Sequence, residues 1–270
     1  MEKNYLKNLF NLIKFIIISY INFNNFLKKN SLFFKKHIYL SNVKIHFSLK
    51  ILIIIIAKII LNKFYLLLFL YKRKKYNDNF KNEELNINAK WFKNNAFYWD
   101  IFFNKFSLYR KKLQILEIGS FEGYSSVFFL KNFKNSKLSC VDMWKNNQEQ
   151  KEFNMNKIEK TFDKNTYIYK KNLLKFKQSS DLFFKKNCNK KKFDIIYVDG
   201  DHFYKTVFRD LTNSYYVLKK NGLMIIDDLQ YNFYNNPNYN PISSIVVFLT
   251  IFYKEIKILK VTNQIIIKKL

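Results

Sequence analysis

Hydrophobic and polar positions change rhythm along this chain near residue 113. Before it, apolar runs at 15–21, 32–40 and 49–71 are broken by lysines. After it, short apolar runs alternate with longer mixed segments. The runs at 113–118, 137–142, 167–169, 193–199 and 223–227 predict strands, because each is short, apolar and bounded by polar or glycine positions. The segments 124–133, 148–162, 173–186 and 204–219 have helical length and spacing. Strands alternating with helices predict a parallel sheet covered on both faces. The tail, 255–261 and 264–268 around Thr262 and Asn263, predicts an antiparallel hairpin at the sheet edge.

The N-terminal part follows a different logic. The run 49–71 is long enough to cross a bilayer at about 1.5 Å per residue, but Lys58, Asn62 and Lys63 lie near its middle. On an insertion scale its Leu, Ile and Phe offset those polar residues almost completely, so spanning, lying on a surface and packing as a plain extension all stay open. Lys72, Arg73, Lys74 and Lys75 follow directly and suit an anionic membrane surface, a partner expected for residues 1–75. No small-residue cleavage site follows an apolar core near the start, so a cytoplasmic location is expected, with membrane attachment through this segment one of the open alternatives. The polar stretch 77–88 reads as a linker. The expected division is a helical, lysine-rich extension over 1–90 and a catalytic domain over 91–270.

Composition removes several classes. Of 270 residues, 49% are hydrophobic and 19% aromatic, which excludes a disordered tail. Cys140 and Cys188 cannot build a disulfide framework and belong to no zinc pattern. The net charge of +28 would ordinarily raise nucleic acid as a partner. Lysine is spread throughout, beside abundant Asn, Ile and Phe, as a drift toward A/T-rich codons would produce, and no RNP, KH, zinc-finger or helix-turn-helix pattern is present. Nucleic acid is therefore a disfavoured partner. Residues 1–112 carry +17 and residues 113–270 carry +11, so the carboxylates concentrate where the alternation is.

All four glycines, Gly119, Gly123, Gly200 and Gly222, stand at the ends or starts of expected strands. The first two belong to Leu116-Glu117-Ile118-Gly119-Ser120-Phe121-Glu122-Gly123-Tyr124-Ser125, a strand turning tightly into a helix. Such a turn brings backbone amides against a small ligand. It is neither a P-loop nor GxGxxG, and Glu117 and Glu122, expected at one mouth, favour a cationic ligand over a phosphate.

This stretch resembles motif I of class I S-adenosylmethionine-dependent methyltransferases, in the branch of catechol, caffeoyl-CoA and macrolide-sugar O-methyltransferases. The resemblance runs on through the 193–202 and 218–228 stretches and covers about residues 91–270. Asn221 stands where the family usually has glycine, a mild departure because Asn tolerates left-handed backbone. The resemblance implies a Rossmann-like, doubly wound, mostly parallel seven-stranded sheet ending in the antiparallel hairpin. It implies that S-adenosylmethionine is held by Glu117, Gly119, Ser120, Gly123, Asp142 at the ribose, Met143 (or Trp144) at the adenine, Asn172 on the adenine side, and Asp199. Asp199, Asp227 and Asp228, at adjacent strand ends, are expected to hold Mg2+, and His202 and Asp199 to be catalytic, His202 as the base. The bland readings are helix capping by Asp199 or Asp201 and a structural turn at His202. The aromatic and Asn-rich loop 229–241 is expected to cover the acceptor.

The function so implied is methylation of a hydroxyl on a sugar, glycan or other small molecule. Rivals are a methyltransferase acting on RNA or other nucleic acid, and a non-catalytic, membrane-associated binding protein on the same scaffold.

Overall fold

The computed structural model describes residues 85–89, 91–187, 192–236 and 239–270, together with 53–55, 57, 58 and 61. The apolar runs 15–21 and 32–40, most of 49–71 and the basic cluster 72–75 lie outside the described residues. In chain order the elements are α1 (Lys93–Lys105), β1 (Gln114–Ile118), α2 (Tyr124–Asn132), β2 (Lys137–Asp142), α3 (Met155–Thr166), β3 (Leu173–Lys177), α4 (Ser180–Asn187), β4 (Phe193–Val198), α5 (Tyr204–Val217), β5 (Leu218–Ile226), α6 (Pro241–Ile251), β6 (Ile256–Val261) and β7 (Ile265–Lys269).

The seven strands form one sheet in the order β3-β2-β1-β4-β5-β7-β6. β1 to β5 are mutually parallel, and β7 runs antiparallel between β5 and β6. This is a Rossmann-like, doubly wound fold with a C-terminal antiparallel hairpin. The chain reverses its winding between β1 and β4, which opens the ligand crevice at the C-terminal ends of the strands.

Side-chain alternation within each strand builds two cores. Ile115, Cys140, Ile195, Tyr197 and Ile225 face one way and pack with Trp99 of α1, Phe128 and Phe129 of α2 and Phe162 of α3. Leu116, Ile118, Ile196, Val198 and Met224 face the other way and meet α4, α5 and α6. Both faces of the central strands are buried, so their sequences are continuous apolar runs rather than alternations.

Four expected elements shift: the helix expected over 173–186 is only Ser180–Asn187, because 173–177 is taken by a strand, β5 begins at Leu218 and not at 223, and the third strand and third helix move as well. The third strand is Leu173–Lys177, not 167–169, and Tyr167–Asn172 is a 3-10 turn that leaves Tyr167 and Ile168 exposed. β3 is an edge strand paired with β2 alone and is half-exposed along its length, so no buried apolar run announces it. α3 begins at Met155, with the Asn154 side chain accepting from Lys157 N, and the stretch before it is irregular. α6 was not expected: every residue from Pro241 to Leu249 is buried, so it shows no polar stripe, and only the proline at its start marks it.

Part of the N-terminal region meets this domain. Ile55 is buried in the core beside β6, and Lys58 Nζ donates to Leu259 O at 3.4 Å. Asn88 N, Asn88 Nδ2 and Ala89 N all donate to the Glu122 carboxylate. Among the described residues no helix is long and apolar enough to cross a membrane.

Candidate active site

The turn after β1 is built by close approach. Gly119 has φ +83°, and a Cβ there would lie 1.9 Å from the Asp199 carbonyl oxygen, so the β1 turn rests directly on the end of β4. Phe121 (φ 45°), Trp144 (φ 44°) and Asp228 (φ 62°) also hold left-handed backbone. For side chains of that bulk the conformation is strained, and here it clusters at the strand ends. Asp142, at the end of β2, joins the two loops. It accepts from Ser120 N (2.9 Å), Phe121 N (3.0 Å) and Trp144 N (2.7 Å). Trp144 is buried, donates its indole N–H to Phe121 O and packs on Phe162, so it is not free to stack on a ligand. Met143 is exposed beside it.

Glu117 and Glu122 do not share an open mouth. Glu117 is fully buried under the start of α2, where Ser120, Ser125, Ser126 and Cys140 donate to its carboxylate. Its position in β1 puts it on the Ile115 face, into the sheet-helix interface. Burial pushes its carboxyl above the ordinary value, against the opposing effect of those donors. Glu122 is turned toward Asn88 and Ala89. Asn172 is also misplaced by the sequence reading: it precedes β3 instead of following it, and its amide donates to Lys134 O at the opposite end of the sheet.

The strand ends of β4 and β5 form the second half of the site. One ligand atom each from Asp199, His202 and Asp228 lies within 4.8 Å of the others. Asp227 does not join them, contrary to expectation. Its carboxylate is turned into the core, accepting from Gln264 Nε2 (2.6 Å), Asp228 N (2.8 Å) and the Tyr197 hydroxyl. Residue 227 continues the β5 alternation inward, and the left-handed turn at Asp228 swings the next carboxylate outward. Tyr197 OH also reaches Asp199 Oδ2 at 2.6 Å. Burial, then the charges of Asp227 and Asp228, hold the Asp199 carboxyl well above the usual carboxylate range, and burial with Asp228 raises Asp227 to about 7.

The His202 ring is clasped. Nε2 lies 2.8 Å from Asp228 Oδ2, Nδ1 faces Glu149 Oε2, and Tyr231 stacks on the ring at 4.0 Å. Burial alone would lower its pKa, but bonding to Asp228 and Glu149 outweighs this and pushes it up to about 11. Asp201 Oδ1 accepts from His202 N (2.8 Å) and so fixes the turn into α5.

Three residues of this centre escaped the sequence reading. Glu149 lay in a stretch read as helix, and nothing local distinguishes it. Gln264 precedes β7 and links Trp99 Nε1 to Asp227. Tyr197 was legible in principle, because it stands two residues before Asp199 and so shares its face.

The donor set fits a hard divalent cation. Asp199 and Asp228 offer it two carboxylate oxygens beside His202, with the Asp199 carboxyl held well above its ordinary range by burial and by the charges of Asp227 and Asp228, and carboxylate oxygens suit magnesium.

A comparison with curated proteins gives no match. Among solved structures, the chain is similar to an O-methyltransferase from Bacillus cereus in complex with S-adenosylhomocysteine, at 13% identity and TM-score 0.48, over 74% of this chain and 90% of that one. It is similar to the O-methyltransferase TomG from Streptomyces achromogenes, in complex with S-adenosylmethionine, at 12% identity and TM-score 0.47, over 74% and 88%. MycE, from the mycinamycin biosynthetic pathway, aligns at 13% identity and TM-score 0.47 over 64% of this chain, which spans about half (48%) of MycE's length. Likeness at this level carries no information on substrate. Residues 116–229 match the family described as a methyltransferase domain. The matched residues run from β1 to just past β5 of the 3-2-1-4-5-7-6 sheet and include the β1 turn against which Asp142 closes.

Proposed function

We propose that this domain, taken as residues 91–270, moves the methyl group of S-adenosylmethionine to a hydroxyl oxygen of a small-molecule or sugar acceptor. The observation that carries the reading is the abutment of the two halves of the site: Gly119 rests on Asp199, so a donor at the β1 turn adjoins the Asp199, His202 and Asp228 centre.

In this reading the backbone of Gly119, Ser120 and Gly123 lines the donor, Asp142 accepts from a ribose hydroxyl with its one remaining acceptor site, and Met143 covers the adenine. The carboxylates around the crevice favour the sulfonium cation. Asp199 and Asp228 would hold magnesium, with Asp227 fixing the β5 turn behind them; bound there, the ion would hold the acceptor oxygen and lower its pKa. His202 Nε2, the nitrogen facing this centre, takes the hydroxyl proton. The acceptor oxygen bonds to the methyl carbon as the carbon–sulfur bond breaks, and S-adenosylhomocysteine leaves. Most of the rate comes from holding sulfur, carbon and oxygen in line. Neutral His202 is the accepting form, so the rate rises with pH.

Calorimetric titration with S-adenosylmethionine and S-adenosylhomocysteine tests the donor site. Both bind the wild-type chain, and Asp142→Ala weakens them at least about tenfold, the loss of a charged hydrogen-bond pair. A folded chain that binds neither defeats the proposal. Labelled methyl donor with extracts of small molecules and glycans identifies the acceptor, and EDTA followed by magnesium tests the ion.

A further inference from the structure

Glu149 is the one carboxylate of the site that comes from the donor side of the crevice yet binds only acceptor-side groups. It follows Asp142 and Trp144, which hold the β1 turn, in a loop braced from within. Asn147 Oδ1 accepts from Glu149 N (3.0 Å) and Gln150 N (2.9 Å), and Asn146 Nδ2 donates to Gln150 O and Phe153 O. This bracing presents a side chain only 3% exposed. Its Oε2 meets His202 Nδ1 and the Tyr231 hydroxyl (3.0 Å), and its Oε1 accepts from the Tyr234 hydroxyl (2.6 Å). Tyr231 and Tyr234 belong to the loop after β5, which is folded around buried Asn240 through Phe233 N and Tyr234 N.

We infer that Glu149 is a positioning residue with two linked tasks: it fixes the His202 ring with Nδ1 protonated and Nε2 toward the carboxylate centre, and it latches the acceptor loop to the donor loop. With a carboxylate at each nitrogen the free ring carries both protons, and the one at Nδ1 fixes which way the ring faces and keeps that nitrogen protonated when Nε2 is not. The same two oxygens gather both tyrosine hydroxyls, so ring orientation and loop closure depend on one side chain. Asp228 cannot substitute, since it meets the other nitrogen. The inference rests on the proposed role of His202, but the contacts of Glu149 with Tyr231 and Tyr234 can be measured without turnover.

The test therefore uses the free, full-length chain. The protein has three histidines, so the imidazole nitrogen NMR spectrum is sparse, and the His202 signals are assigned by their loss in His202→Gln. Wild type shows a slowly exchanging Nδ1 proton on His202 and protected amides at Tyr231, Phe233 and Tyr234. Glu149→Gln displaces the Nδ1 signal and speeds exchange of those three amides at least about tenfold, as expected for losing hydrogen bonds to a charged group. Tyr231→Phe with Tyr234→Phe speeds the loop amides equally while leaving the Nδ1 signal in place, and this pair reports on the latch even if Glu149→Gln folds poorly. Unchanged loop exchange in the tyrosine pair, or an unchanged Nδ1 signal in folded Glu149→Gln, overturns the inference. Calorimetry on the wild type reads the donor site separately, so its failure would strike the proposed methyl transfer and not the latch.

Discussion

Positive φ at Gly119, Phe121, Gly123, Trp144 and Asp228 concentrates strained or glycine-only backbone within the crevice. At Gly119 both the conformation and the space exclude a side chain. Gly119→Ala should destabilise the fold by at least about 2 kcal/mol in urea unfolding and abolish donor binding, because relief requires parting β1 from β4. The glycine was legible from its place at a strand end; the orientation of Glu117 was not, since the buried hydroxyls that claim it come from the turn, at Ser120, and from the following helix, at Ser125 and Ser126. Away from the site, Asp210 of α5 is buried with Oδ1 lacking any hydrogen-bond partner, and burial pushes its pKa from 3.8 to about 7. A carboxyl raised in the folded state binds its proton more tightly there than when unfolded. Its stabilising contribution is complete below pH 3.8 and is lost as pH rises to about 7. The ceiling on that loss is about 4 kcal/mol. Asp210→Asn should therefore flatten the fall in Tm between pH 5 and pH 8 and raise Tm at pH 8. An unchanged pH profile in the variant would show that Asp210 is not the titrating group.

Elements buried on both faces announced themselves: β1, β2 and β4 lie within one residue of where their apolar runs predict. Edge and enclosed elements did not. β3 mixes lysine with leucine because it is an edge strand half-exposed along its length, and α6 is buried all round from Pro241 to Leu249, so neither shows the periodicity that its class leads one to seek. Contacts between elements distant in sequence were beyond reach for the same reason that makes them informative. Gln264, 2% exposed at the entry to β7, accepts from Trp99 of α1 at 2.6 Å and donates to Asp227 at the end of β5. Through Tyr197 this line reaches Asp199. Gln264→Ala leaves a buried indole N–H unpaired and takes from Asp227 Oδ2 one of its two donors, the Tyr197 hydroxyl remaining. It should cost about 2–4 kcal/mol in denaturant unfolding and lower methyl transfer by more than it weakens donor binding, since the donor half of the site is untouched. Equal losses in kcat and in donor affinity would argue for general loosening instead.

At the scale of the whole molecule, the winding reversal between β1 and β4 and the return of β7 beside β5 bring residues from five separate stretches to one end of the sheet. That convergence is why the carboxylate centre could be named from sequence while its membership needed correcting at Asp227 and its link through Glu149 went unseen. The net charge of +28 acts on this scale too, and by its nature independently of the site. Like charges repel in the compact state, and screening shortens their reach from about 30 Å at 0.01 M salt to about 3 Å at 1 M. Raising NaCl from 0.01 M to 0.5 M should therefore raise Tm, with the Gly119 and Gln264 variants gaining as much as wild type. The same charge will retain RNA at low salt, and that retention alone does not make RNA the acceptor. Counterion release predicts that binding falls as a steep power of salt, alike for RNA and for heparin, which offers no base or ribose to methylate. Label from the methyl donor should stay off RNA across that range while entering small molecules or glycans. Label appearing in RNA, at salt that abolishes heparin binding, would transfer the site to a nucleic-acid acceptor and give the basic surface a selected purpose.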